Sequence, residues 1–66
     1  MITPEKVAER VALIDRIADD FEGAHSEEDN LYRDVLMSIV AGSPHPQQLA
    51  IEALRSQQIH FPRYCA

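Results

Sequence analysis

Gly23–Leu36, "GAHSEEDNLYRDVL", sets one histidine beside three consecutive acids at the head of an apolar run. Three readings compete for it: a helix start, a metal or acid–base site, and an acidic docking surface. Ser26 followed three residues later by Asp29 has the Ser-x-x-acid pattern of a capping box. Glu27, Glu28 and Asp29 then fill a first turn, where the helix dipole favours each negative charge by ~0.3–1 kcal/mol. Asp29 also precedes Arg33 by four residues, the favourable acid-then-base order. The stretch therefore reads as a helix opening, with Gly23 as the stop of the helix before it.

Working outward, the apolar period predicts a second helix over about 27–41. Leu31, Tyr32, Val35, Leu36, Ile39 and Val40 form its buried face, and Gly42 ends it. Met37 falls opposite that stripe and marks a candidate partner surface. Upstream, Thr3 and Pro4 suit the cap and first position of a helix over about 4–21. Its inward face is Val7, Val11, Ile14, Ile17, Ala18 and Phe21, with Leu13 at the edge. Downstream, "GSPHP" is turn chemistry, and the residue before a proline avoids the α region, which sets His45 off the helix. Pro46 opens a third helix to about residue 57, with Leu49, Ala50, Ala53 and Leu54 inward, Gln57 continuing that line and Ile51 outward. The closing "IHFPRYCA" predicts an extended tail over 58–66, pinned by Ile59, Phe61 and Tyr64. The expected fold is all-α: a helical hairpin, a short third helix and a docked C-terminal tail in one domain over 1–66.

A chain of 66 residues with 45% apolar content has room for one small core. No run approaches the ~18 apolar residues of a membrane span. Charges in "MITPEKVAERV" stand where a signal peptide needs its apolar core, so export is not expected. Cys65 has no second cysteine to pair with and is not fourth from the end, where prenylation needs it. A reduced cytoplasmic setting is expected. The net charge of −5 is uneven: residues 1–34 carry ten acids against Lys6, Arg10, Arg16 and Arg33, whereas residues 35–66 carry Glu52 against Arg55 and Arg63. Such a field works against direct nucleic-acid binding.

Asp19, Asp20, Glu22, Glu27, Glu28 and Asp29 place six acids in eleven residues with no base among them. Of these, Asp19, Asp20, Glu22, Glu27 and Glu28, together with Met37 and Ile51, are the candidate partner-binding residues. His25 and Asp29 have i,i+4 spacing, but His25 precedes the capping serine and is expected off the helix. No HExxH, paired Cys/His or EF-hand pattern is present, and neither metal nor cofactor is expected. Helical nucleotide pyrophosphohydrolases bring acids from two helices to an inward-facing magnesium site. Here the inward stripes are apolar and the acids lie at ends and outer faces, so no catalytic residues are assigned. Short chains commonly gain missing burial by association, and a homodimer or higher oligomer is expected. The rival expectation is an oligomer that sequesters a nucleotide-type ligand with His25, Arg33, Arg55, Arg63 and Tyr64.

"AHSEEDNLYRDVLMSIVAG" and "IHFPRYCA" together resemble a family of small bacterial and bacteriophage-encoded proteins. The family has an "AHSxED" helix start, a "LYxxVLxxIA" helix and an "FxRWCA"-like ending. The matching residues here are Ala24, His25, Ser26, Glu28, Asp29, Leu31, Tyr32, Val35, Leu36, Ile39, Phe61, Arg63, Cys65 and Ala66. Tyr64 departs from the pattern, standing where the family has Trp. The resemblance spans the last two-thirds of the chain and implies a phage or mobile-element context, in which compact acidic proteins act by binding host factors. Arg63 in a docked tail is further expected to pair with the acids around Glu27 to Asp29.

Overall fold

The computed structural model describes residues 1–63; the expectations for Tyr64, Cys65 and Ala66 lie outside the described residues. Three α-helices follow one another: α1 (Pro4–Arg16), α2 (Phe21–Val40) and α3 (Pro46–Leu54), the last running into a 3₁₀ turn over Arg55–Gln58. The architecture is all-α, a helical hairpin with a shorter third helix, and α1 packs against both α2 and α3. No described helix is long and apolar enough to cross a membrane.

Helix α1 begins as its cap residues dictate. The Thr3 hydroxyl accepts the Lys6 amide at 3.2 Å, and Pro4 occupies the first turn, where its missing N–H removes no bond. The helix stops at Arg16, five residues short of the expected Phe21. Asp19 and Asp20 explain the difference, because negative charge is unfavourable at a helix C-terminus and favourable at an N-terminus. Asp20 instead caps α2, its carboxylate accepting the Gly23 amide at 3.2 Å, while its carbonyl accepts the Ala24 amide at 2.8 Å.

This cap corrects the expected second-helix start at Glu27. Gly23 is not a stop but the third residue of α2, and Ser26 is an exposed residue inside the helix. A Cβ at Gly23 would lie 2.5 Å from Asp20 Oδ2, so glycine lets the capping carboxylate sit close. The acid cluster thus does begin a helix, capped by Asp20 rather than by Ser26 as the Ser-x-x-acid pattern indicates.

The other end of α2 follows the sequence. Gly42 adopts φ +90°, its amide bonds to the Ile39 carbonyl, and the Ser43 amide bonds to the Ser38 carbonyl, each at 3.0 Å. That pair of bonds is a Schellman closure, which favours glycine because side chains are strained at positive φ. Helix α3 follows His45, outside the helix as Pro46 requires, and is shorter than expected because its last turn tightens into the 3₁₀ turn.

The core comprises Val7, Ile14, Ala24, Leu31, Val35, Leu49, Ala53 and Phe61, with Ile2, Val11, Ile17, Ala18, Phe21, Tyr32, Ile39 and Ile59 packed around it. Phe61 anchors the extended tail, as expected. Four residues expected inside are outside: Leu36, Val40 and Leu54 are 62%, 88% and 60% exposed, and Gln57, in the 3₁₀ turn, is exposed as well. The buried line of α2 is Ala24, Glu28, Leu31, Val35 and Ser38, spaced four, three, four and three residues apart. Two polar residues complete this seam, so a stripe drawn through apolar residues alone rotates away from it, toward Leu36 and Val40.

Candidate functional site: an apolar α2–α3 face and a buried Glu28 network

Glu28 lies on the inner line of α2 and is only 3% exposed. Its carboxylate is met by Arg63, with Nε 2.8 Å from Oε1 and Nη2 3.1 Å from Oε2. The tail is held by the same guanidinium, which also donates to the carbonyls of Ser56 (3.0 Å), Ile59 (3.1 Å) and Phe61 (3.3 Å) and stacks 3.9 Å over the Phe61 ring. Ser56, fully buried, donates its hydroxyl to Glu28 Oε2 at 2.6 Å. Its proton being so committed, the 2.6 Å bond between Tyr32 and Ser56 must run from the Tyr32 hydroxyl, which accepts in turn from Gln57 Nε2 at 2.7 Å. The chain Gln57 to Tyr32 to Ser56 to Glu28 is directional and ends on an anion.

Burial pushes the Glu28 carboxyl up, but the hydrogen bonds from Arg63 and Ser56, with the charge of Arg63, outweigh it and hold the group below the ordinary glutamate range. Ser56 has no access to solvent, so the network fastens the tail to α2 rather than offering a nucleophile. Glu28, expected on an acidic docking surface, is withdrawn from it. Ser56 and Ser38 escape a reading that looks for apolar cores; the signal for Ser38 is the α2 line that passes through Glu28, and for Ser56 the line of Leu49 and Ala53 on α3. Ser38 Oγ accepts the Ile2 amide at 3.1 Å and ties the N-terminal segment to α2.

The outer side of α2 is the reverse of its inner side. Asp29, Arg33, Leu36 and Val40 follow another four-three-four line and, with Met37 and Ala41, border an open concavity of about 620 Å³. Leu36 also borders a groove of about 280 Å³ between α2 and α3, lined otherwise by Tyr32, Val35, Ile39, Ala50, Ala53 and Leu54. Leu36 is therefore a crest between two apolar hollows. Met37 and Ile51 are exposed as the sequence indicates, Ile51 three residues before Leu54 on α3. Leu36, Val40 and Leu54 extend this surface well beyond the two residues the sequence singles out.

The remaining candidates are dispersed. Asp19, Asp20 and Glu22 cluster at the α1–α2 turn, where Asp20 is the cap, and Glu27 lies further along α2. His25 is on α2, not off it, with Nε2 3.6 Å from Asp29 Oδ1, which corrects the expectation that the two cannot share a face. Each ligand-candidate arginine faces a carboxylate of its own chain: Arg33 with Asp34 at 3.4 Å, Arg55 with Glu52 at 3.3 Å, Arg63 with Glu28 at 2.8 Å. Arg10 and Asp34 join α1 to α2 at 2.6 Å. Among the described residues, no three of His, Cys, Asp and Glu gather as a metal site. No family model, curated protein or solved structure matches the chain.

Proposed function

We propose that this protein is a non-catalytic interaction module that binds protein through the apolar face left uncovered by α2 and α3. One observation carries the reading: Leu36, Met37, Val40, Ile51 and Leu54 are all at least half exposed, while Glu28, Ser38 and Ser56 are buried. Single exposed apolar residues are ordinary, but contiguous ones rimmed by charge are the mark of a binding surface. The rim here is Asp29 and Arg33 on α2. The acidic turn lies at the other end of α2, outside the contact. The resemblance to phage-encoded proteins supplies the biological direction, a cytoplasmic modulator of a host protein. The ligand-sequestering reading has no observation of comparable weight, since Arg63 is held by Glu28 and neither hollow on this face brings His25, Arg33 and Arg55 together.

The test is affinity capture from a bacterial lysate with the wild-type chain and a Leu36→Glu/Leu54→Glu variant of unchanged helical circular dichroism. A protein retained by the first and lost by the second is the expected result. Equal retention by both overturns the assignment of the face.

A further inference from the structure

We infer that the occupant of this face is a second copy of the chain, packed about a two-fold axis with the two α2 helices antiparallel and Met37 near the axis. The inference rests on the interaction reading above and names its partner.

Charge selects the orientation. The acids from Asp19 to Asp29 occupy the N-terminal end of α2, and the exposed apolar residues occupy its C-terminal end. Asp20 is separated from Met37 by seventeen residues, about 25 Å along the helix, so antiparallel packing sets the two acidic ends roughly 50 Å apart. That is far beyond the ~8 Å screening length at physiological ionic strength. Parallel packing would instead superpose them.

The same arrangement answers a local need. The last turn of α2 carries no Lys or Arg to offset the negative end of its dipole. Lys6 lines the hollow on the α1 side of Met37 and lies 3.6 Å from Glu9. With the axis near Met37, Arg33 of each copy comes opposite Ala41 of the other, where it adds positive charge to that of Lys6 and Arg10 of α1 beside the same helix end. Arg33 is well exposed and meets Asp34 at 3.4 Å in a solvent-facing contact, so it can turn outward. The contact is made twice, as two-fold symmetry requires.

Shape and size agree. The Leu36 crest beside the hollow over Ala50 and Ala53 gives each copy a ridge and a groove, the elements from which helix pairs are built. The exposed Leu36, Met37, Val40 and Leu54 that border the two hollows on each copy bring the total buried area toward the ~1,000 Å² of a small specific interface.

The test is light-scattering mass after size exclusion at tens of micromolar under reducing conditions, with disulfide trapping alongside. The wild type should run at twice its 7.5 kDa. A Leu36→Glu/Val40→Glu variant should run as a monomer with unchanged helicity, and Arg33→Glu should weaken association about tenfold, since two symmetric contacts change sign. In a Cys65→Ser background, Met37→Cys should oxidise to a covalent dimer and Ala12→Cys, on the exposed side of α1, should not. A wild-type monomer overturns the dimer and leaves a different protein as the partner of the face. A dimer that survives Leu36→Glu/Val40→Glu overturns both the dimer geometry and the role of the face.

Discussion

Arg63 reaches back thirty-five residues to grip Glu28 with two parallel hydrogen bonds, of 2.8 and 3.1 Å. The pair closes the tail over α2, and its members differ in exposure: Glu28 is buried, Arg63 is about a quarter exposed. Arg63→Ala strands a buried carboxylate and should destabilise the fold by about 2–4 kcal/mol. Glu28→Gln keeps an acceptor for Ser56 and leaves the partly solvated arginine its carbonyl partners, so its effect should be smaller, about 1–2 kcal/mol. Urea denaturation of both variants checks the order.

Acid should unfold the protein through two carboxylates. Glu28 is held low as described, and Asp34 is lowered chiefly by its hydrogen bond from Arg10, against a smaller opposing push from burial. A carboxyl whose folded pKa is depressed stabilises the fold above its unfolded pKa and loses that contribution as pH falls through the folded value. The thermal midpoint should therefore decline as pH drops through and below the ordinary carboxylate range. The decline should be shallower in Glu28→Gln, measured from neutral pH downward.

The start of α2 separates two readings of one acidic stretch. Asp20→Ala removes the carboxylate that accepts the Gly23 amide and should reduce stability by about 1 kcal/mol. Ser26→Ala replaces an exposed mid-helix serine with the best helix former and should be neutral or stabilising by a few tenths of a kcal/mol. Thermal melts showing the reverse order would restore Ser26 as the cap.

The fold class, the Thr3 and Gly42 ends and the docked tail were legible because each is written in local chemistry: a hydroxyl cap, a glycine at a turn, an apolar residue beside a proline. The Arg63 pairing was legible too, since an arginine in a docked tail seeks the nearest acids. The inner face of α2 was not, because a hydrophobic period cannot register that Glu28 and Ser38 are inside. Their burial depends on Arg63, Ser56 and Ile2 supplying partners from distant segments. That same omission concealed Leu36, Val40 and Leu54 as surface. The false capping box arose because Ser26 and Asp29 satisfy the pattern, while Asp20 satisfies the actual turn.

Leu31 and Leu36 carry the same side chain on opposite sides of α2, the first fully buried and the second mostly exposed. Leu31→Ala should cost about 2–5 kcal/mol through lost burial and cavity formation. Leu36→Ala should cost well under 1 kcal/mol within one copy, where little is buried to lose. Denaturation at low concentration, compared with the association of the same variants, separates folding from binding.

Gly42→Ala isolates backbone strain. No atom stands within 4 Å of the added Cβ, so only the positive φ opposes it. A loss of about 1 kcal/mol is expected, measurable by urea denaturation.

The central claim is that the apolar α2–α3 face, and not the acidic turn, binds protein. The most direct measurement immobilises three chains: the wild type, Leu36→Glu/Leu54→Glu and Asp19→Asn/Glu22→Gln. Each is challenged with soluble wild-type chain and with lysate, and the bound protein is quantified. Binding lost by the face variant and kept by the acidic-turn variant is the predicted result. Binding kept by the face variant, or abolished by neutralising the acidic turn, would contradict it.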